Sequence, residues 1–100
     1  MMRMVFLMAV KPDQIGAYQE AHRAVWPEVI EACRSVGMRN YSIFMADRHL
    51  IGYFEAEDCQ ESMELLRNEE ALQRWWSFME PIMAPAPDYS DGFKEVFHMM

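Results

Sequence analysis

Residues 4–10 alternate without a polar face: Met4, Phe6 and Met8 lie on one side, Val5, Leu7 and Ala9 on the other. That pattern predicts a strand covered on both sides. Pro12-Asp13 opens a helix, with proline early and an acid in the first turn. Tyr18, Ala21, His22, Val25, Val29, Cys33 and Val36 then recur at steps of three and four. Pro27 interrupts this run, because it lacks an N–H and clashes with the preceding turn. A kink is expected there, or a second helix beginning at Pro27; Gly37 marks the stop. Met38–Ala46 reads as a strand with Tyr41, Ile43 and Met45 on one face, and His49–Ala56 as the next, with Leu50, Phe54 and Ala56 opposite Ile51, Tyr53 and Glu55. The short Asp47-Arg48 link argues for an antiparallel hairpin. Asp58-Cys59-Gln60-Glu61 resembles a capping box. It starts a helix with an apolar stripe of Met63, Leu66, Ala71, Leu72, Trp75, Trp76 and Met79, ended by Pro81. Ala84–Gly92 reads as a loop and Phe93–Met99 as a last strand.

The order β-α-β-β-α-β in 100 residues predicts a single α+β domain over residues 1–100. It is the ferredoxin-like split motif: a four-stranded antiparallel sheet with two helical segments on one face. The other face of the sheet is also apolar and nothing in the chain is left to cover it. A second copy packed sheet to sheet resolves this, so a homodimer of the dimeric α/β-barrel type is expected.

Composition narrows the function. The net charge of −7 repels phosphate backbones and anionic membrane surfaces, so neither nucleic acid nor membrane is an expected partner. No segment approaches the roughly 18 apolar residues of a membrane span. The N-terminal apolar run lacks a cleavage site and is read as a strand, not a signal peptide. Cys33 and Cys59 lack metal-type or CxxC spacing, which suits two reduced thiols in a cytoplasmic protein. The 11 methionines show no clustering with histidine or cysteine and read as core filler, with no metal site and no cofactor implied.

Chemistry concentrates in a few side chains. Tyr18 and His22 are four apart, hence on one helix face. An imidazole exchanges protons near neutrality, and a buried phenol needs a polar partner. A lone helical histidine is usually structural; the tyrosine one turn away makes a shared site an equal alternative. Tyr41 orients a substrate oxygen if its hydroxyl faces the same pocket. Trp75 and Trp76 differ by about 100° around a helix, so one can anchor the core while the other lines the site. An indole face suits the C–H face of a pyranose. Trp26 either closes the pocket or staples the break at Pro27. His49 and His98 have no evident partners.

These residues resemble the L-rhamnose mutarotase family: Tyr18-x-x-x-His22-x-x-x-Trp26-Pro27-Glu28, Asn40-Tyr41-Ser42-Ile43, Gln73-Arg74-Trp75-Trp76, Met83, and the closing Glu95-Val96-Phe97. The resemblance spans nearly the whole chain. It implies a dimeric α+β fold and cofactor-free interconversion of the α and β anomers of L-rhamnose. It implies His22 as general acid/base and Tyr18, Tyr41, Trp75 and Trp76 as sugar-binding residues. Ring opening needs one group to take the anomeric hydroxyl proton and another to protonate the ring oxygen. The expectation is that His22 serves the ring oxygen and that Tyr18, Tyr41 or water takes the anomeric proton. The alternatives on this fold are a cofactor-independent monooxygenase, a lactone isomerase, or a non-catalytic ligand-binding module.

Overall fold

A computed structural model describes every residue except Asp88, Ser90 and Asp91. Strand β1 runs Met2–Val10, helix α1 Ile15–Ala21, helix α2 Pro27–Ser35, strand β2 Arg39–Ala46, strand β3 His49–Ala56, helix α3 Cys59–Arg67, helix α4 Glu70–Met79 and strand β4 Met83–Ala84. The strands form one antiparallel sheet in the order β2-β3-β1-β4. The predicted hairpin is present: Ala46 pairs with His49, and Asp47 takes the turn with φ of 56°. An aspartate tolerates that left-handed conformation better than most residues.

Local chemistry explains most element ends. Pro27 is the first residue of α2, where its missing N–H costs nothing, so the break resolves into two helices. α1 begins at Ile15, later than Pro12-Asp13 suggested, with Gln14 at its cap and no side-chain capping bond. Asp58 caps α3 as expected, its carboxylate accepting from the Glu61 N–H at 3.1 Å. The single helix expected up to Pro81 is instead α3 and α4. Asn68 closes α3 with its side-chain amide donating to the Glu64 carbonyl, and Glu69 is extended (φ −79°, ψ 121°). The apolar stripe continues across that break, which is why periodicity alone joined the two.

The predicted last strand is also corrected. Residues 93–100 carry no strand, and the fourth strand is Met83–Ala84, pairing with Val10 and Ala9 at the start of the expected loop. Val96 and Phe97 are largely exposed, and the segment is tied back by Arg3, whose guanidinium donates twice to Glu95 at 2.7 Å. Alternating apolar residues call for a sheet edge, and among the described residues they pair with none.

All four helices lie against one face of the sheet. Val10, Leu50, Phe54 and Ala56 point inward from the strands and meet Tyr18, Val29, Ala32, Leu66, Leu72, Trp75 and Met79. Each large side chain so buried contributes about 1.5–3 kcal/mol. Ser62, buried in α3, donates to the Val36 carbonyl at 2.6 Å and locks α3 onto the end of α2. Gly52 sits inward on β3 between Leu50 and Phe54. A Cβ there would overlap the Phe6 ring, so glycine is what lets that ring lie across the sheet.

Candidate active site

Between the sheet and the helices is an open cavity of about 1200 Å³. Tyr18, His22, Tyr41, Trp75 and Trp76 all border it, together with Phe6, Met8 and Ile43 from the sheet. Residues from α1, β1, β2 and α4 thus converge on one space, as the four-residue spacing of Tyr18 and His22 and the face assigned to Tyr41 anticipated.

Tyr18 and His22 interact closely. Their rings stack at 4.0 Å between centroids and 19° between planes. His22 caps the C-terminus of α1, and its Nδ1 lies 3.1 Å from the Tyr18 carbonyl oxygen. A carbonyl oxygen only accepts, so this contact assigns the proton to Nδ1. The neutral ring then presents Nε2 as its basic nitrogen. Burial lowers the His22 pKa below its ordinary 6.5, and the hydrogen bond to the Tyr18 carbonyl opposes that only in part. Burial also pushes the Tyr18 phenol up to about 12. Tyr41 is pushed up as well, first by burial and then by the nearby Cys33 and Tyr18. At neutral pH the site therefore holds one uncharged base and two intact phenols.

The tandem tryptophans divide as the helix geometry requires. Trp75 is only 6% exposed and meets the His22 ring edge-on at 5.4 Å. Trp76 is 41% exposed and stands at the rim of the cavity. Trp26 is not among the residues bordering the cavity. It caps α2 behind Trp75, with ring centroids 5.0 Å from Trp75 and 5.4 Å from Phe78. These are contacts with α4 of the kind a staple at the Pro27 break makes. Phe6, Met8 and Ile43 were missed as wall residues. Their signal was present as the inward parity of β1 and β2, but parity alone reads as core.

A family model described as L-rhamnose mutarotase matches residues 3–99. A curated L-rhamnose mutarotase of Oceanobacillus iheyensis is 38% identical over 99% of each chain. The crystal structure of an L-rhamnose mutarotase from Formosa agariphila superposes with a TM-score of 0.81, at 31% identity and full coverage of both chains. A putative antibiotic biosynthesis monooxygenase from Nitrosomonas europaea shares the fold alone, with a TM-score of 0.62 at 18% identity over 85% of this chain and 90% of that one. With a match across almost its entire length, the chain belongs to the L-rhamnose mutarotase family.

Proposed function

We infer that this protein is an isomerase that interconverts the α and β anomers of L-rhamnopyranose by acid–base ring opening and closure. The observation that carries the reading is the stacked Tyr18–His22 pair on the cavity wall, with Nδ1 engaged and Nε2 as the basic nitrogen, in a chain of this family. The monooxygenase alternative is not favoured, since that likeness is one of fold.

The protonation states suggest a division of labour. His22, neutral at rest, takes the proton of the anomeric hydroxyl through Nε2. A phenol, Tyr18 or Tyr41, gives its proton to the ring oxygen as the C1–O5 bond breaks and the aldehyde forms. Rotation about C1–C2 presents the other carbonyl face. The C5 hydroxyl then closes on C1, returning its proton to the phenolate while the imidazolium protonates O1. This exchanges the roles expected from the sequence, where His22 served the ring oxygen. A neutral imidazole with Nδ1 engaged takes a proton at Nε2 before it can give one. Trp75 and Trp76 supply flat apolar faces for the pyranose.

The direct test is saturation transfer between the C1 protons of L-rhamnose at anomeric equilibrium. Transfer that rises in proportion to added protein supports the reading; transfer equal to buffer alone ends it. The acid–base assignment adds a pH dependence. His22 must be unprotonated to act, and its pKa is lowered, so the acid limb of catalysed exchange is centred below about pH 6.5. Tyr18, held to about 12, remains a phenol well past the ordinary tyrosine range, so no loss is expected between pH 7 and about 10 once buffer exchange is subtracted. An acid limb centred above 6.5, or a fall near 9, would contradict this.

We read residues 1–100 as one such domain, acting as a homodimer. The support is the outer sheet face, where Phe44 and Ile51 are 64% and 46% exposed, together with the open Val96 and Phe97. Sedimentation equilibrium should return twice the 11.8 kDa chain mass; a monomer at micromolar concentration would refute it. No helix among the described residues is long and apolar enough to cross a membrane. Free thiols at Cys33 and Cys59 support a cytoplasmic setting.

A further inference from the structure

The β2–β3 ladder contains an irregularity beside the cavity. Arg39 pairs with Glu55, yet Ser42 pairs with Tyr53. Two residues, Asn40 and Tyr41, therefore stand opposite the single residue Phe54. This is a β-bulge, and its extra residue reverses the facing of everything beyond it. In an unbroken ladder starting from Arg39 and Glu55, Tyr41 would pair with Tyr53 and share its outward face. With the bulge it faces inward, against Phe6 and Phe54 at 6.1 and 5.9 Å between ring centroids, on the cavity wall.

The bulge is held from the other side of the sheet. Asn40 has φ of 51°, in the left-handed region. Its side-chain amide donates to Glu55 Oε1 at 2.8 Å, and the Tyr53 hydroxyl donates to Glu55 Oε2 at 2.7 Å. Both carboxylate oxygens are thus engaged, and the two donors hold the carboxyl below its ordinary range. Tyr53 and Glu55 sit at the outward positions of β3, away from the cavity.

We propose that Asn40, Glu55 and Tyr53 are positioning residues for the isomerase reaction: their hydrogen-bonded group fixes the bulge and thereby aims the Tyr41 hydroxyl at the sugar. The proposal rests on the reading of Tyr41 as a substrate-binding residue. Tyr53 and Glu55 lie away from the cavity; Asn40 borders it beside Tyr41, with its side-chain amide turned to Glu55. Their effect passes through one peptide link, from Asn40 to Tyr41. A displacement of about 1 Å at a reacting group costs on the order of 10²-fold in rate, so a loosened bulge has room for a large effect.

The test compares Asn40→Gly, Asn40→Asp, Glu55→Ala and Glu55→Gln, each alone and combined with Tyr41→Phe, with Tyr41→Phe by itself as the reference. Anomer exchange is measured over a range of L-rhamnose concentrations, with thermal unfolding alongside. Asn40→Gly retains the left-handed backbone and removes only the amide, so it folds even if bulkier changes do not. Asn40→Asp sets a second carboxylate against Glu55, whereas Glu55→Gln keeps an acceptor for Asn40. The expected result is that Asn40→Asp and Glu55→Ala lower maximal exchange about 10-fold or more, within the ~10²-fold bound for misplacement. Asn40→Gly falls between them and wild type, and Glu55→Gln restores most of the loss. None of them adds to the loss in the Tyr41→Phe background. A folded Asn40→Gly or Glu55→Ala protein that exchanges at the wild-type rate while Tyr41→Phe is impaired overturns the proposal. So do losses that add fully to that of Tyr41→Phe, since they belong to general structure. Wild-type exchange by Tyr41→Phe alone is a different failure: it removes the role of Tyr41 itself, and the positioning proposal with it.

Discussion

Replacing His22 with alanine is expected to remove about 10²–10⁴-fold of the protein's acceleration of L-rhamnose anomer exchange, the usual worth of a positioned general acid–base group. The fold should survive. His22 is only half-buried and lies at the end of α1, and its side-chain bond is to a carbonyl that a backbone N–H also serves. The Tyr18 carbonyl accepts the His22 backbone N–H at 3.1 Å, and alanine keeps that donor. What is lost is one hydrogen bond, about 0.5–1.5 kcal/mol, and a stacked ring. Saturation-transfer measurements and a urea titration on the same sample separate the two effects. Retained exchange in a folded His22→Ala protein would exclude the imidazole from the chemistry. Loss of exchange with loss of fold would instead show that the ring packing holds α1 in place.

The largest stability effect is expected at Phe54. It is fully buried toward the end of β3, an interior strand of the sheet, and packs against the Phe6 and Tyr41 rings. Truncation to alanine removes the ring's transfer energy and leaves a hole that β1 and β2, paired on both sides of it, cannot close. Such changes cost about 3–5 kcal/mol, against a total near 5–15 kcal/mol for a domain. The urea midpoint should fall accordingly, and exchange should fall too at temperatures where the variant remains folded, because Tyr41 loses its support. A destabilisation under about 1 kcal/mol would mean that neighbouring rings collapse into the space.

How much of this could be read from the chain differs by element. β3 was legible to the residue, because Leu50, Phe54 and Ala56 share one parity and Asp47-Arg48 is a short link that favours a hairpin. The Tyr18–His22 pair was legible for a similar reason: a four-residue step in a helix has one geometric meaning. The split at Asn68 was not, since a single capping residue does not disturb an apolar stripe that runs on through both helices. Met83–Ala84 is too short to carry any period. Phe93–Met99 shows the opposite limit. Its alternation reads as a strand, yet the segment pairs with no edge of the described sheet. Tyr41 was placed on the right face by its spacing from Ile43 and Met45, but the bulge that achieves this left only Asn40 as its mark. The Trp75-Trp76 dipeptide fixed the angle between the indoles without indicating which would be inside.

Gly52 carries an implication for redesign. Phe6 forms part of the cavity wall only because the residue beneath it has no side chain. Positions 6 and 52 therefore behave as two halves of a fixed allotment of space: a side chain can enter at 52 only to the extent that one shrinks at 6. Reshaping the pocket for a bulkier sugar is best begun at position 6, with glycine kept at 52 as the reserve depth. A methyl group added at 52 with Phe6 left intact would push the ring toward Tyr41, and a change made in the hidden layer of the sheet would be felt at the substrate.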